Sequence, residues 1–240
     1  MTHDVKAHVV TLHDRWLAWS LDRYGILLGI LVIDYLALLL MPSDAAAALC
    51  GVVTVGGTVL FALDVSGVNR NIRIAVRCMV GVLPVMAALY FLAPHLIRGV
   101  VGISFGLVLA ATPVVILLRL LGHERVNMAT LLAALDVYVL IGLVFAELYY
   151  GFAQFKVFNP FLAQVGEHTR SDFAYLSYVT LTTVGFGDLT PKSSWARSLV
   201  ITEALIGNMV LVTAVARVVS LYGRTQTSLK QSEEETPSDH

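Results

Sequence analysis

The run "TLTTVGFGDLTP", from Thr180 to Pro191, sets hydroxyls, two spaced glycines and a carboxylate inside an otherwise apolar chain. Gly185 and Gly187 alternate with Val184 and Phe186, and glycine readily takes left-handed backbone angles closed to bulky residues. Such alternation can turn successive carbonyls to the same side. A row of carbonyls with the Thr183 hydroxyl at its inner end is an oxygen ladder suited to replacing the hydration shell of a weakly hydrated cation. One chain supplies only one wall of such a ladder. With one loop per chain, the simplest closed ring is a symmetric tetramer. A plain glycine turn between two helices is the competing reading, but it leaves the threonines and the flanking helix without a purpose.

The elements that must hold this loop are membrane-spanning. Of the 240 residues, 57% are hydrophobic and 14% charged, against about 45–50% and 25% in soluble domains. The net charge of −1 gives no reason to expect a nucleic-acid partner. A helix needs about 20 mostly apolar residues to cross the hydrocarbon, and six candidates meet that length: Tyr24 to Met41, Ala45 to Val65, Ile74 to Ala93, Gly99 to Leu118, Ala129 to Gly151 and Ala196 to Tyr222. Breaks such as "MPSD" and "SGVNRN" separate them. No small-residue cleavage pattern follows the first run, so it is expected to stay in the mature protein. The cysteines, Cys50 and Cys78, fall in different spans and imply neither a disulfide nor a metal framework.

Orientation follows from the basic residues, which favour the cytoplasmic side. With the N-terminus inside, Lys6, Arg15, Arg23, Arg70, Arg73, Arg77, Arg119, Arg125, Arg217, Arg224 and Lys230 lie on that side, eleven of the sixteen. Both termini are therefore expected in the cytoplasm, and the segment from Phe152 to Trp195 on the outer face. Within it, "SDFAYLSYVTLTT" is too short to cross the bilayer and reads as a dip. Thr169 and Asp172 have capping-box spacing and Ser171 suits an N-cap, so a short helix is expected from near Ser171 to just before Thr183. Non-helical backbone at membrane depth must be buried in protein or line a wet path. The negative end of that helix, aimed at the membrane centre, would favour a cation there.

"TTVGFGD" resembles the signature sequence of potassium channels, in its Phe form, and "DFAYLSYVTLTTVGFGDLTP" is similar to the pore helix and filter of bacterial members. Trp195 and Arg197 match a Trp and an Arg of two-helix bacterial channels, and the resemblance covers Ala129 to Tyr222. It implies an all-α membrane protein: six transmembrane helices, with a re-entrant pore helix and selectivity filter between helices 5 and 6, assembled as a homotetramer. It implies that Thr183, Val184, Gly185 and Phe186 coordinate K+, with Gly187 and Asp188 at the outer mouth and Thr182 supporting the filter. Tyr175 stands where a pore-helix aromatic bonds the carboxylate matching Asp188. Gly207 matches the inner-helix hinge glycine, with Asn208 toward the cavity. Val179 departs from members that carry a carboxyl there, so pairing behind the filter from that position is not available.

Four spans before a pore pair look like a voltage-gated architecture, whose fourth helix carries regularly spaced arginines. Here "GVVGISFGLVLAATPVVILL" has none and contains Pro113. Weak or absent voltage sensing is the expectation. Arg70, Arg73 and Arg77 read as an inner-face anchor, with a displaced sensor as the alternative; Asp64 is at a depth to pair with Arg73 or Arg77. Among intramembrane acids, Asp34 is depth-matched to Thr54 and Ser104. Asp136 could reach Arg217 as an inner latch or a packing pair. Glu203 lies one turn before Gly207 and about 140° from Asn208. We expect it to face the pore helix.

Residues 1–23 carry Val5, Val9, Leu12, Trp16 and Trp19 at helical spacing and read as an interfacial amphipathic helix. The divisions expected are that helix, a four-helix sensor-like domain over 24–128, a pore domain over 129–222 and a disordered cytoplasmic tail over 223–240. That tail is expected to carry no ligand-binding domain, so any ligand gate is expected from a regulatory subunit, the pore itself or membrane lipid. The expected function is passive, potassium-selective conduction across the cell membrane, with K+ as permeant ion, no cofactor and no enzymatic activity. The alternatives are a subunit of a potassium uptake system, or a proton-coupled carrier using Asp34, Asp136, Glu147 and Glu203.

Overall fold

The computed structural model describes residues 24–37, 95–121, 128–155, 161–166 and 168–234, with shorter stretches between 40 and 85. Its helices are α1 (Tyr24–Ala37), α2 (His95–Leu121), α3 (Met128–Ala153), α4 (Arg170–Leu181) and α5 (Ser194–Glu234). Among the described residues there is no strand, and one isolated bridge joins Leu162 to Pro191. Three stretches are long and apolar enough to cross a membrane: Arg98–Leu118, Thr130–Ala153 and Ser194–Arg217. They fall on the fourth, fifth and sixth expected spans. The second and third spans are described only in fragments, and the N-terminal interfacial helix over 1–23 lies outside the described residues, as do Thr54 and Asp64.

One boundary differs from expectation. α5 continues past Tyr222 to Glu234, so residues 223–234 of the expected disordered tail are helical, and 235–240 lie outside the described residues. The reason is local. Gly223 alone costs a helix about 1 kcal/mol, whereas the first proline, which would end it, is Pro237.

α2 lies flush along α3. A Cβ at Gly102 would stand 2.8 Å from the Gly151 Cα, and one at Gly151 only 2.6 Å from the Ile103 N. Any side chain there would push the backbones apart. Pro113 sits inside α2, which nonetheless continues to Leu121. The core between α2, α3 and α4 is filled by Phe105, Leu109, Leu140, Tyr149, Tyr150 and Phe173, all fully buried. α5 contributes a single packed stripe through Ala196, Glu203, Gly207 and Ala214. Its other faces expose Ile201, Leu205, Met209, Val212 and Val215.

Candidate ion-coordinating site

α4 begins at Thr169, an extended N-cap with φ −86° and ψ 167°. A capping box closes it: Asp172 N donates to the Thr169 hydroxyl oxygen, and Thr169 N donates to the Asp172 carboxylate at 2.8 Å. The helix so starts at Arg170, one residue before Ser171. It ends at Leu181, where Thr182 N and its hydroxyl both donate to the Tyr178 carbonyl, at 2.9 and 2.6 Å.

The chain then reverses into the glycine run. Thr183, Gly185 and Gly187 have φ of 59°, 56° and 80°, so left-handed residues alternate with Val184 and Phe186. A Cβ at Gly185 or Gly187 would meet nothing within 4 Å. Glycine is required there by backbone angle rather than by space. Thr183 extends the alternation despite its branched side chain, at a cost of roughly 1–2 kcal/mol. The N–H groups of Val184 and Gly185 both donate to the Val179 carbonyl, at 3.0 and 3.3 Å. Their N–H groups are thus held against the end of α4. Among the described residues, no hydrogen bond is made to the carbonyls of Thr183, Val184, Gly185 or Phe186. Those oxygens lie on an exposed strip of this chain and can accept a cation's coordination in place of water.

Asp188 closes the outer end. Tyr175 donates to its Oδ2 at 2.8 Å, and the Tyr175 ring stacks on Phe186 at 6.4 Å with 3° between planes. The hydrogen bond to Asp188 pushes the Tyr175 phenol above its ordinary range.

Behind the strip, α4 is tied to its neighbours by polar contacts. Tyr178 donates to the Val139 carbonyl at 2.8 Å, and Tyr138 donates to the Leu181 carbonyl at 2.8 Å, satisfying one open end of α4. Glu203 faces α4, where Ser177 hydrogen-bonds to it, and Tyr149 donates to it from α3 at 2.5 Å. At the other end of α4, Arg170 pairs with Glu147 of α3, stacks over Tyr150 at 4.2 Å and reaches toward Phe105 of α2 at 6.0 Å. Around it, Phe161 contacts Tyr149, Phe173 and Trp195 at 5.0, 5.7 and 5.3 Å. Two features here escaped sequence reasoning. The Arg170–Glu147 pair joins helices that no local pattern connects, and only the shared outer depth of the two charges hints at it. Tyr149 as a partner for Glu203 carries no sequence signal.

Other expected residues are placed as follows. Gly207 is buried and Asn208 exposed. A Cβ at Gly207 would meet the Leu181 Cδ1 at 2.3 Å, so its glycine lets α5 pass close to the end of α4. The inner latch does not form. Asp136 is fully buried, neither of its oxygens has a hydrogen-bond partner among the described residues, and it makes no pair with Arg217. The Asp136 side chain is enclosed within its own chain, and matching depth leaves the direction around each helix open. Asp34 accepts from Thr58 at 2.9 Å, while the Ser104 hydroxyl donates to Val100 on its own helix at 2.8 Å.

A protein-family model described as "Ion channel" matches residues 134–224, the part containing α4, the glycine run and much of α3 and α5. No curated protein and no solved structure matches the chain. The match supports an ion-channel function, and with the long apolar helices it supports a membrane protein.

Proposed function

We propose that four copies of this chain form a potassium-selective channel, in which the Thr183–Phe186 backbones face a common axis and K+ passes down its gradient. One observation carries the reading: left-handed residues at 183, 185 and 187, with the Val184 and Gly185 N–H groups bound to Val179, leave four carbonyls unbonded on one exposed strip. Carbonyl rings of this kind replace the hydration shell of K+. The family match over the same residues supports conduction, and the uncovered apolar faces of α5 support assembly with identical copies. On this reading Asn208 lines the cavity, residues 24–128 form the sensor-like domain, both termini are cytoplasmic, and the site of action is the cell membrane.

Voltage dependence is weak in this proposal. Between Gly99 and Leu118, α2 carries no basic residue, and its close seat on α3 through Gly102 and Gly151 opposes sliding. The carrier alternative needs a relay of free intramembrane acids, whereas Glu147 is paired and Glu203 and Asp34 are hydrogen-bonded, which leaves Asp136 alone without a hydrogen-bond partner among the described residues. Recordings of purified protein in planar bilayers, with potassium and sodium on opposite sides, test the proposal. The expected current reverses near the potassium potential, is blocked by barium and varies little with voltage. Flux that requires a proton gradient would overturn it.

A further inference from the structure

Glu203 is fully buried in α5, and its carboxyl joins three helices. Tyr149 of α3 donates to Oε2 at 2.5 Å, and Ser177 of α4 meets Oε1. The titratable groups around it are tyrosines; among the described residues no lysine, arginine or histidine pairs with it. An isolated carboxylate is costly to bury without a cation.

The hydrogen count decides how the contacts fit together. The Ser177 hydroxyl lies within bonding distance of both Glu203 Oε1 and the Gly142 carbonyl, the latter at 2.7 Å. A serine hydroxyl has one proton to give. All three contacts are satisfied at once when the carboxyl brings its own proton: Tyr149 donates to Oε2, the protonated Oε1 donates to the Ser177 oxygen, and Ser177 donates to Gly142. Ser177 is two residues before Val179, whose carbonyl receives the Val184 and Gly185 N–H groups. A constraint on Ser177 is therefore transmitted to the filter through one half-turn of helix.

We propose that Glu203 is a positioning residue for the filter: a proton-bearing carboxyl that clasps Tyr149 and Ser177, fixes the last turns of α4 and so sets how long the filter stays conducting. This rests on the potassium-channel reading. The test compares the full-length wild type with Glu203→Gln, Glu203→Leu and Tyr149→Phe in bilayers, measuring current decay during a sustained pulse at low and high potassium. A carboxamide offers an oxygen to Tyr149 and an N–H to Ser177, so it reproduces the protonated acid and not the carboxylate. Wild type and the Gln variant are expected to hold steady current. Glu203→Leu loses both hydrogen bonds of the clasp and should decay about fivefold faster or more at low potassium, fivefold being the effect of roughly one buried hydrogen bond, and slow again at high potassium. Tyr149→Phe removes a single hydroxyl without changing shape, and gives the same reading if the Leu variant does not assemble.

Decay in the Gln variant as fast as in Leu would overturn the proton-bearing clasp. Wild-type decay in both Glu203→Leu and Tyr149→Phe would overturn the positioning role. A wild type without potassium-selective current would defeat the channel reading and this inference together. That outcome is read from the wild type alone, apart from any variant.

Discussion

The two sides of the segment from Thr183 to Gly187 are built differently. On the side facing α4, nearly every polar contact is made within the chain: Val179 holds two N–H groups, Tyr175 holds Asp188, and Tyr138, Tyr178 and Ser177 anchor α4. On the other side the carbonyls of the strip are unbonded and the side chains exposed. The membrane-crossing helices repeat the contrast, since 67% of the apolar window of α3 is buried and only 11% of that of α5. A single chain is thus complete on one face and open on the other. Assembly around the open face is the economical way to finish it.

Perturbing the open face should have the largest effect. Gly185→Ala forces a side chain onto a residue with φ 56°, and potassium flux into liposomes is expected to vanish while the protein still extracts from membranes intact; undiminished flux would remove the carbonyl ladder from the account. The bonded face should respond in stability. Breaking the Arg170–Glu147 pair, buried at the arginine and half-buried at the glutamate, by Glu147→Gln is expected to cost about 3 kcal/mol, seen as a lower unfolding temperature in detergent, whereas replacing both residues by leucine recovers most of the loss.

At the boundary between the faces, Gly207→Ala introduces the Cβ that meets Leu181, with a cost of about 1–3 kcal/mol. Combined with Leu181→Ala, the two changes should be less damaging than their sum, with a coupling of about 0.5–3 kcal/mol. Strict additivity would favour a hinge role for Gly207 over close packing. Tyr175→Phe should have the smallest effect, a modest loss of steady current. Because its hydrogen bond to Asp188 raises the phenol above the ordinary tyrosine value of about 10, the contribution of this bond is fully present below that value. It is lost only as pH rises through the raised one, so currents at pH 7 and 9 should agree.

The loop and α4 were legible because their information is local. Glycine spacing dictates where left-handed angles fall, and Thr169 with Asp172 marks the helix start within one residue. Thr183 joined the alternation without a glycine to announce it, since its angle is imposed by the bonds around Val179. Contacts between helices were harder. Depth along the membrane gives one coordinate and leaves the direction around each helix open. It suggested Thr54 for Asp34, where the structure uses Thr58, four residues further along the sequence. It also suggested Arg217 for Asp136, which is not made. Glu203 was readable because its turn-spacing from Gly207 fixes direction as well as depth.

The most direct measurement is an electron-density map of the purified, full-length protein in thallium or rubidium salt. The account predicts a four-fold particle with ion peaks on its axis, level with the carbonyls of Thr183, Val184, Gly185 and Phe186. Single protomers, or an assembled ring with those carbonyls turned away and no peak between them, would contradict it.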